Sequence, residues 1–315
     1  MIRFSSIGDI VLTTPVVRSI KLDSSDNEVH FLTKKSFVEL IDHNPNIDKV
    51  YSFEKSLSEI ANELKLEKYD AVIDLHNNLR SRLITMFLNR PVSRFQKLNF
   101  KKWLLVRFKL KIMPSVHIVD RYLATLSLLH INQDASGLDF FIPDDVTLVS
   151  ELNGKSYVAF VIGGTHLTKK LPVQKIINIC NQVNIPFVLI GGKQEIADAK
   201  EILKHTHGNV VDYCGQLSIQ QSSRVIQYAN AVISNDTGMM HIAAAFQKKI
   251  ISIWGNTVPE LGMYPYLNEE KKNIIVEVKN LSCRPCSKIG FSACPKNHFN
   301  CMNMINESDI TKHLI

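Results

Sequence analysis

Short apolar runs recur through both halves of the chain, and a helical pattern follows most of them. In the second half the runs are 157–162, 186–190, 210–214, 231–234 and 250–254, with a helix predicted over about 218–228. The first two end in glycine pairs, Gly163-Gly164 and Gly191-Gly192. In the first half 29–33, 50–53 and 71–75 read as strands, and 1–5 as a very short first strand. Continuous apolar runs mark strands buried on both faces, and their alternation with helices predicts parallel sheets. The expected fold class is α/β, with two doubly wound, Rossmann-like domains facing each other across a cleft. Pro, Gly and charge interrupt the pattern from Pro143 to Lys155. This places an N-terminal domain at 1–150 and a C-terminal domain at 151–315, with the last helix free to pack back on the first domain.

In such sheets ligands bind outside the carboxyl ends of the strands, so the residues just after each run hold the chemistry. After 231–234 comes Asn235-Asp236-Thr237-Gly238, and then a small, apolar helix carrying His241. Free N–H groups and the positive end of the helix dipole attract an anion there. Gly238 permits close approach of the backbone, and His241 follows on the same face. The competing reading makes Asp236 a helix cap and Gly238 a turn residue. After 157–162 comes GGTHLTKKLP, with the hydroxyl of Thr165 and the charges of Lys169 and Lys170. Glu195, after 186–190, can accept from ribose hydroxyls or simply favour a helix dipole. Gly8 and Asp9 follow the first strand in the same manner, and a carboxylate there suits a general base.

Composition narrows the class. The 315 residues carry a formal charge of +7 and suffice for two domains. No apolar run reaches the roughly 20 residues of a membrane span, and no secretory leader opens the chain, so a cytoplasmic location is expected. From His76 to Lys111 there is no Asp or Glu, while Arg80, Arg82, Arg90, Arg94, Lys97, Lys101, Lys102, Arg107, Lys109 and Lys111 are all basic. Such a field attracts phosphate-rich partners or an anionic membrane, or is a solvated face. Within it, WLLVRFKLKIM interleaves apolar and cationic residues as an interfacial helix does. Cys180 and Cys214 stand alone in apolar surroundings. Cys283, Cys286, Cys294 and Cys301 form a C-x2-C-x7-C-x6-C cluster that suggests structural zinc before disulfides. Neither G-x-G-x-x-G nor the P-loop pattern occurs, which argues against a Rossmann dehydrogenase and a P-loop ATPase.

Taken in order, FSSIGDIVLTTPVVRSIK, DLHNNLRSRL, KKLP and SNDTGMMHIAAAF…IWG resemble glycosyltransferase family 9, the ADP-heptose:lipopolysaccharide heptosyltransferases. The resemblance implies a GT-B fold, an inverting mechanism and no required cofactor or metal. It also implies an acceptor site in the N-terminal domain and nucleotide-sugar binding in the C-terminal one. By motif, Asp9 matches the catalytic base, and Thr165 and Lys169 match the diphosphate loop, Lys169 also aiding catalysis. Glu195 matches a ribose contact. Asp236, Thr237, Gly238, Met239 and His241 match diphosphate and sugar contacts, and Gly8, Asn77, Asn78, Arg80 and Arg82 the acceptor side. Leu171 departs from the family, where an aromatic often stands before the loop proline. The absence of any D-x-D agrees with metal-independent transfer. The implied partners are ADP-heptose or a related nucleotide sugar, a lipopolysaccharide precursor and the anionic inner face of the cytoplasmic membrane, with no nucleic acid. A nucleotide-sugar epimerase or hydrolase is the alternative on the same fold. A nucleic-acid-binding module would use the basic segment and a zinc-bound cysteine cluster but leave the strand-end residues unexplained.

Overall fold

In the computed structural model, which describes residues 1–268 and 273–314, the strands are β1 (His30–Lys34), β2 (Lys49–Phe53), β3 (Val72–Asp74), β4 (Val92–Arg94), β5 (Val158–Val161), β6 (Phe187–Ile190), β7 (Val210–Asp212), β8 (Ala231–Asn235), β9 (Lys249–Trp254) and β10 (Asn273–Glu277). The chain divides into two compact units. The first comprises Met1–Leu98 and Val116–Pro143, and the second Asn99–Ser115 and the residues from Asp144 onward.

In the first unit β1 pairs with β2 and β3 with β4, all parallel. The expected strand at 1–5 shrinks to a single bridging residue. Ile2 bridges Leu32 of β1 on one side and Asp74 of β3 on the other. Backbone bonds still run along both edges, from Ile2 N to Ile73 O at 2.9 Å and from Arg3 N to Leu32 O at 3.1 Å. Ile2 and Phe4 are buried with Leu32, Phe53, Val72 and Ile84 in the unit's core.

The second unit has one six-stranded parallel sheet in the order β10-β9-β8-β5-β6-β7. Burial of β5 and β6 is complete along both strands, as their continuous apolar runs require. The sequence pattern passes over β4 and β10. Both lie at sheet edges, and only one residue of each is buried. Helix Ile219–Tyr228 begins where Ser218 accepts from Gln221 N. The terminal helix Ser308–Thr311 packs on Val173–Gln182 of its own unit, where Lys175 Nζ donates to Ile305 O at 2.7 Å. The sequence left it free to return to the first half.

Sequence continuity misplaces part of the basic segment. Arg80 and Arg82 lie on helix Leu79–Leu88 of the first unit, whereas helix Asn99–Phe108 belongs to the second. Leu105 explains the transfer: it is buried with Val258 and Leu261, a gain of about 1.5–3 kcal/mol. Lys109 Nζ then donates to Val106 O at 2.7 Å, Cys283 O at 3.2 Å and Pro285 O at 2.6 Å. This lysine, expected to meet a partner's phosphate, is instead a clasp. Among the described residues no helix is long and apolar enough to cross a membrane.

Candidate active site

The strand order of the second unit reverses at β5, with β6 and β7 to one side and β8, β9 and β10 to the other. A crevice opens at such a switch point, outside the carboxyl ends of the strands. The loops after β5 and β8 meet there. Asn235, fully buried, stitches them together. Its Nδ2 donates toward the carbonyls of Val161, Ile162 and Gly163 at 3.2–3.4 Å, and its Oδ1 accepts from Leu171 N at 3.2 Å.

Asp236 is not the helix cap that local sequence allows. Its carboxylate turns away from helix Gly238–Ala245, and Oδ2 takes both Lys169 Nζ at 2.7 Å and Thr257 Oγ1 at 2.8 Å. Thr237 is the cap residue, yet its side chain makes no capping bond, which leaves the first-turn N–H groups to an anion. Met239 and Gly238 are half-buried at this turn, and His241 is sunk to 2 % exposure rather than presented at the mouth. Thr165 is exposed on the facing loop.

Glu195 is 5 % exposed, with Oε2 accepting from Gly192 N at 2.8 Å and Oε1 paired with Lys170. The two adjacent lysines therefore pair with different carboxylates, one after β6 and one after β8. Gly191 has to be glycine: a Cβ would lie 2.8 Å from Glu195 Cβ and 3.0 Å from Cys214 Sγ. The lysine loop is braced from behind as well. Thr168 N and Oγ1 donate to Phe291 O, and Phe291 N donates to Thr168 Oγ1 at 2.8 Å.

In the first unit Gly8 and Asp9 lie in helix Ile7–Val11, just past the bridging residue Ile2. Asp9 does serve the helix start, since Oδ2 accepts from Ser6 Oγ at 2.8 Å and Ser6 N at 3.3 Å. Its other oxygen meets Arg3 Nη2 at 2.6 Å. Arg3 is itself locked, donating to Leu75 O at 2.6 Å, Ser5 O at 2.8 Å and Tyr122 Oη at 3.1 Å. Burial alone would raise the Asp9 pKa, but the Arg3 charge and the Ser6 donors outweigh it and hold the carboxyl below its ordinary range. His76 is pushed down to about 4, first by burial and then by the Arg3 charge. Asn78 caps helix Leu79–Leu88 by accepting from Ser81 N at 2.8 Å. Asn77 Oδ1 accepts from Arg82 Nε at 3.0 Å, and its Nδ2 donates to Phe95 O at 2.9 Å. Asn77 and Asn78 thus have structural work; Arg80 and Arg82 are both exposed, Arg82 being the one bonded to Asn77.

Sequence reasoning passed over Arg3, Asn235 and Thr257. It also passed over Arg284, whose guanidinium donates to Gly255 O at 2.5 Å and Thr257 O at 3.0 Å and pairs with Glu277. Arg284 stands inside the cysteine cluster, which drew notice for another reason. Among the described residues no three of His, Cys, Asp or Glu gather as a metal site needs. Cys301 is buried in the apolar core, and Cys286 Sγ turns to Cys283 O at 3.0 Å, so the zinc expectation is not met. Cys180 and Cys214 are buried thiols, as expected.

The model of Glycosyltransferase family 9 (heptosyltransferase) matches residues 57–294. A lipopolysaccharide heptosyltransferase 1 of Campylobacter coli is 25 % identical over 99 % of this chain and 96 % of its own. Among solved structures, a glycosyl transferase family 9 protein of Veillonella parvula superposes with a TM-score of 0.79 at 18 % identity, covering 99 % of this chain and 94 % of that one. An E. coli heptosyltransferase solved with ADP-2-deoxy-2-fluoro heptose gives a TM-score of 0.67 at 18 % identity, covering 99 % and 97 %. These structural likenesses are of fold, the GT-B architecture.

Proposed function

The chain belongs to glycosyltransferase family 9, the heptosyltransferase family, and on that premise we propose that it moves a heptose from ADP-heptose to a sugar hydroxyl of a lipopolysaccharide core precursor, with inversion and without a required metal. The observation that carries this reading is the Lys169–Asp236 pair beside the uncapped start of helix Gly238–Ala245. A diphosphate placed there meets a lysine charge, first-turn N–H groups and the positive end of a helix dipole. Charge that grows on the departing ADP is then met by donors already in position, which is often the largest catalytic contribution. Glu195 is the proposed ribose contact. Asp9 is the proposed base, held ionised by Arg3. A carboxylate so paired is a weak base. It suits a proton taken late, once the acceptor oxygen has begun to bond to the anomeric carbon and its hydrogen has become acidic. One carboxylate acting on the acceptor, with no enzyme nucleophile, gives inversion.

The deciding experiment is a donor panel assayed for nucleotide release, with and without a lipid-linked or truncated core acceptor. Release of ADP from ADP-heptose that depends on acceptor and survives chelator supports the reading. Release without acceptor favours the hydrolase alternative. Loss with chelator that Mg²⁺ or Mn²⁺ restores would overturn metal independence.

Thr257 supplies a second check, because its hydroxyl orients the carboxylate paired with Lys169. Thr257→Val is expected to lower donor kcat/KM about ten-fold, the loss of one hydrogen bond to a charged group, while Thr257→Ser stays near wild type. Equal loss in both variants would make Thr257 a packing residue only.

The proposed location is the inner face of the cytoplasmic membrane. Phe100, Trp103 and Phe108 are all exposed, with ring centroids 6.0 and 5.3 Å apart along the series, and the exposed cations Lys101, Arg107 and Lys111 lie on the same segment. Aromatic rings next to lysine and arginine match an anionic interface.

A further inference from the structure

The first unit carries a groove of about 350 Å³ between the turn 55–61 and helix Leu79–Leu88. That volume is at the lower end of the usual range for small-molecule sites. Its floor is Leu57, Ala61 and Ile84, which also pack on the unit's core. Leu83 and Phe87 form its outer side and are 56 % and 40 % exposed. On the same helix Leu79 and Met86 are also exposed, at 75 % and 72 %, so the apolar surface continues past the rim. An apolar face this continuous rarely stands without a role on a soluble protein.

The polar lining has one charge sign. Among the described residues, Lys55 and Arg80 are the only charged ones that line the groove, and neither forms an ion pair. Neighbouring Glu59 accepts from the backbone N–H groups of Glu54, Lys55 and Ser56 and also feels the Lys55 charge, so it offsets part of Lys55 and leaves Arg80 as the less compensated cation. Lys65 adds a third cation, 4.6 Å over the Phe87 ring. An apolar trough with a cationic rim complements a molecule that is apolar along its length and anionic at one end.

We propose that this groove holds a fatty acyl chain of a lipid-linked acceptor that is anionic at its head, with Arg80 and Lys55 on that anionic head. The proposal rests on the reading above that the acceptor is lipid-linked, and it separates Arg80 from Asn77 and Asn78, which hold the fold, and from Arg82, which is bonded to Asn77. The chain lies along Leu57, Ile84 and Leu83, and the cations set its direction by fixing the head.

The probe is dodecyl phosphate, titrated below its critical micelle concentration into the full-length protein by calorimetry. Dodecyl maltoside and inorganic phosphate are the comparison ligands. Wild type is expected to bind dodecyl phosphate saturably and at least about ten-fold more tightly than either comparison ligand. Leu83→Asp, at an exposed position that folding tolerates, is expected to weaken dodecyl phosphate about ten-fold or more with ADP affinity unchanged. Arg80→Gln is expected to reduce the preference for phosphate over maltoside, and Arg80→Gln with Lys55→Gln to reduce it further. No saturable binding, undiminished binding in Leu83→Asp, or inorganic phosphate binding as tightly as the amphiphile would each overturn the site. Heptose transfer by wild type to lipid-bearing and deacylated acceptors is measured separately. Binding of dodecyl phosphate without transfer to either acceptor would count against the transferase reading and leave the groove standing.

Discussion

Asp9→Asn is expected to cut turnover about a hundred-fold or more, with ADP affinity nearly unchanged. Asparagine keeps the shape and can still face Ser6, but it cannot take a proton. The change also leaves the buried Arg3 guanidinium without its counter-charge, so stability should fall by about 1–3 kcal/mol. Steady-state kinetics therefore need a thermal melt alongside, and ADP affinity serves as the control for the proposed nucleotide site. The pH dependence of stability gives an independent reading. The Asp9 pKa is lowered on folding, so its contribution is fully present above the unfolded carboxylate value and is lost as pH falls through the lower folded value. Wild type should lose this increment only in acid, and the Asn variant should lack that loss. Near-normal turnover in a folded Asn variant would remove Asp9 from the mechanism.

The second large effect belongs to Lys169. Lys169→Ala is expected to weaken ADP about ten- to a hundred-fold, as loss of a charge-assisted hydrogen bond of roughly 1.5–3 kcal/mol implies, and to leave adenosine affinity almost unchanged. In the proposed role the charge acts on the diphosphate and not on the nucleoside. The variant also strips Asp236 Oδ2 of one of its two donors, leaving Thr257 alone. Asp236→Asn in the same background distinguishes the contributions: it should restore the part of the loss that comes from the unpaired Asp236 carboxylate repelling the diphosphate, and the loss that remains is the Lys169 contact itself. Titration calorimetry with ADP and with adenosine is the measurement, and equal losses for the two ligands would mean that Lys169 does not reach phosphate.

The strands most legible in the sequence were those of the second sheet, because a strand buried on both faces must be apolar throughout. β5, β6, β8 and β9 fall within a residue or two of their apolar runs. β4 and β10 were not legible, since edge strands with one buried residue each leave no such trace. The candidate site followed a similar division. Helix-start chemistry makes Asp236 and Asp9 look alike in sequence, each a polar residue after a strand and before a helix. Only the folded chain separates them. Asp236 has left the helix for Lys169, 67 positions away, whereas Asp9 serves its helix and Arg3 together. Thr257 and Arg284 act through contacts that depend on where β9 ends and on how the following turn is held, and no local pattern encodes either. The basic segment misled for the opposite reason. Its charges are continuous in sequence, while the decisive residue for placing its second half is the apolar Leu105.

The removal of Asn99–Ser115 from the first unit also bears on how relatives can be recombined. The polypeptide passes between the units at 98/99, 115/116 and 143/144, so no single junction separates them. A chimera made by exchanging everything before Asp144 would bring a foreign helix against Val258 and Leu261, and a foreign residue into the place of Lys109 at the Cys283 and Pro285 carbonyls. The first unit can be exchanged cleanly only if the exchange skips residues 99–115, so that this insert is inherited with the second unit rather than with the sequence that surrounds it.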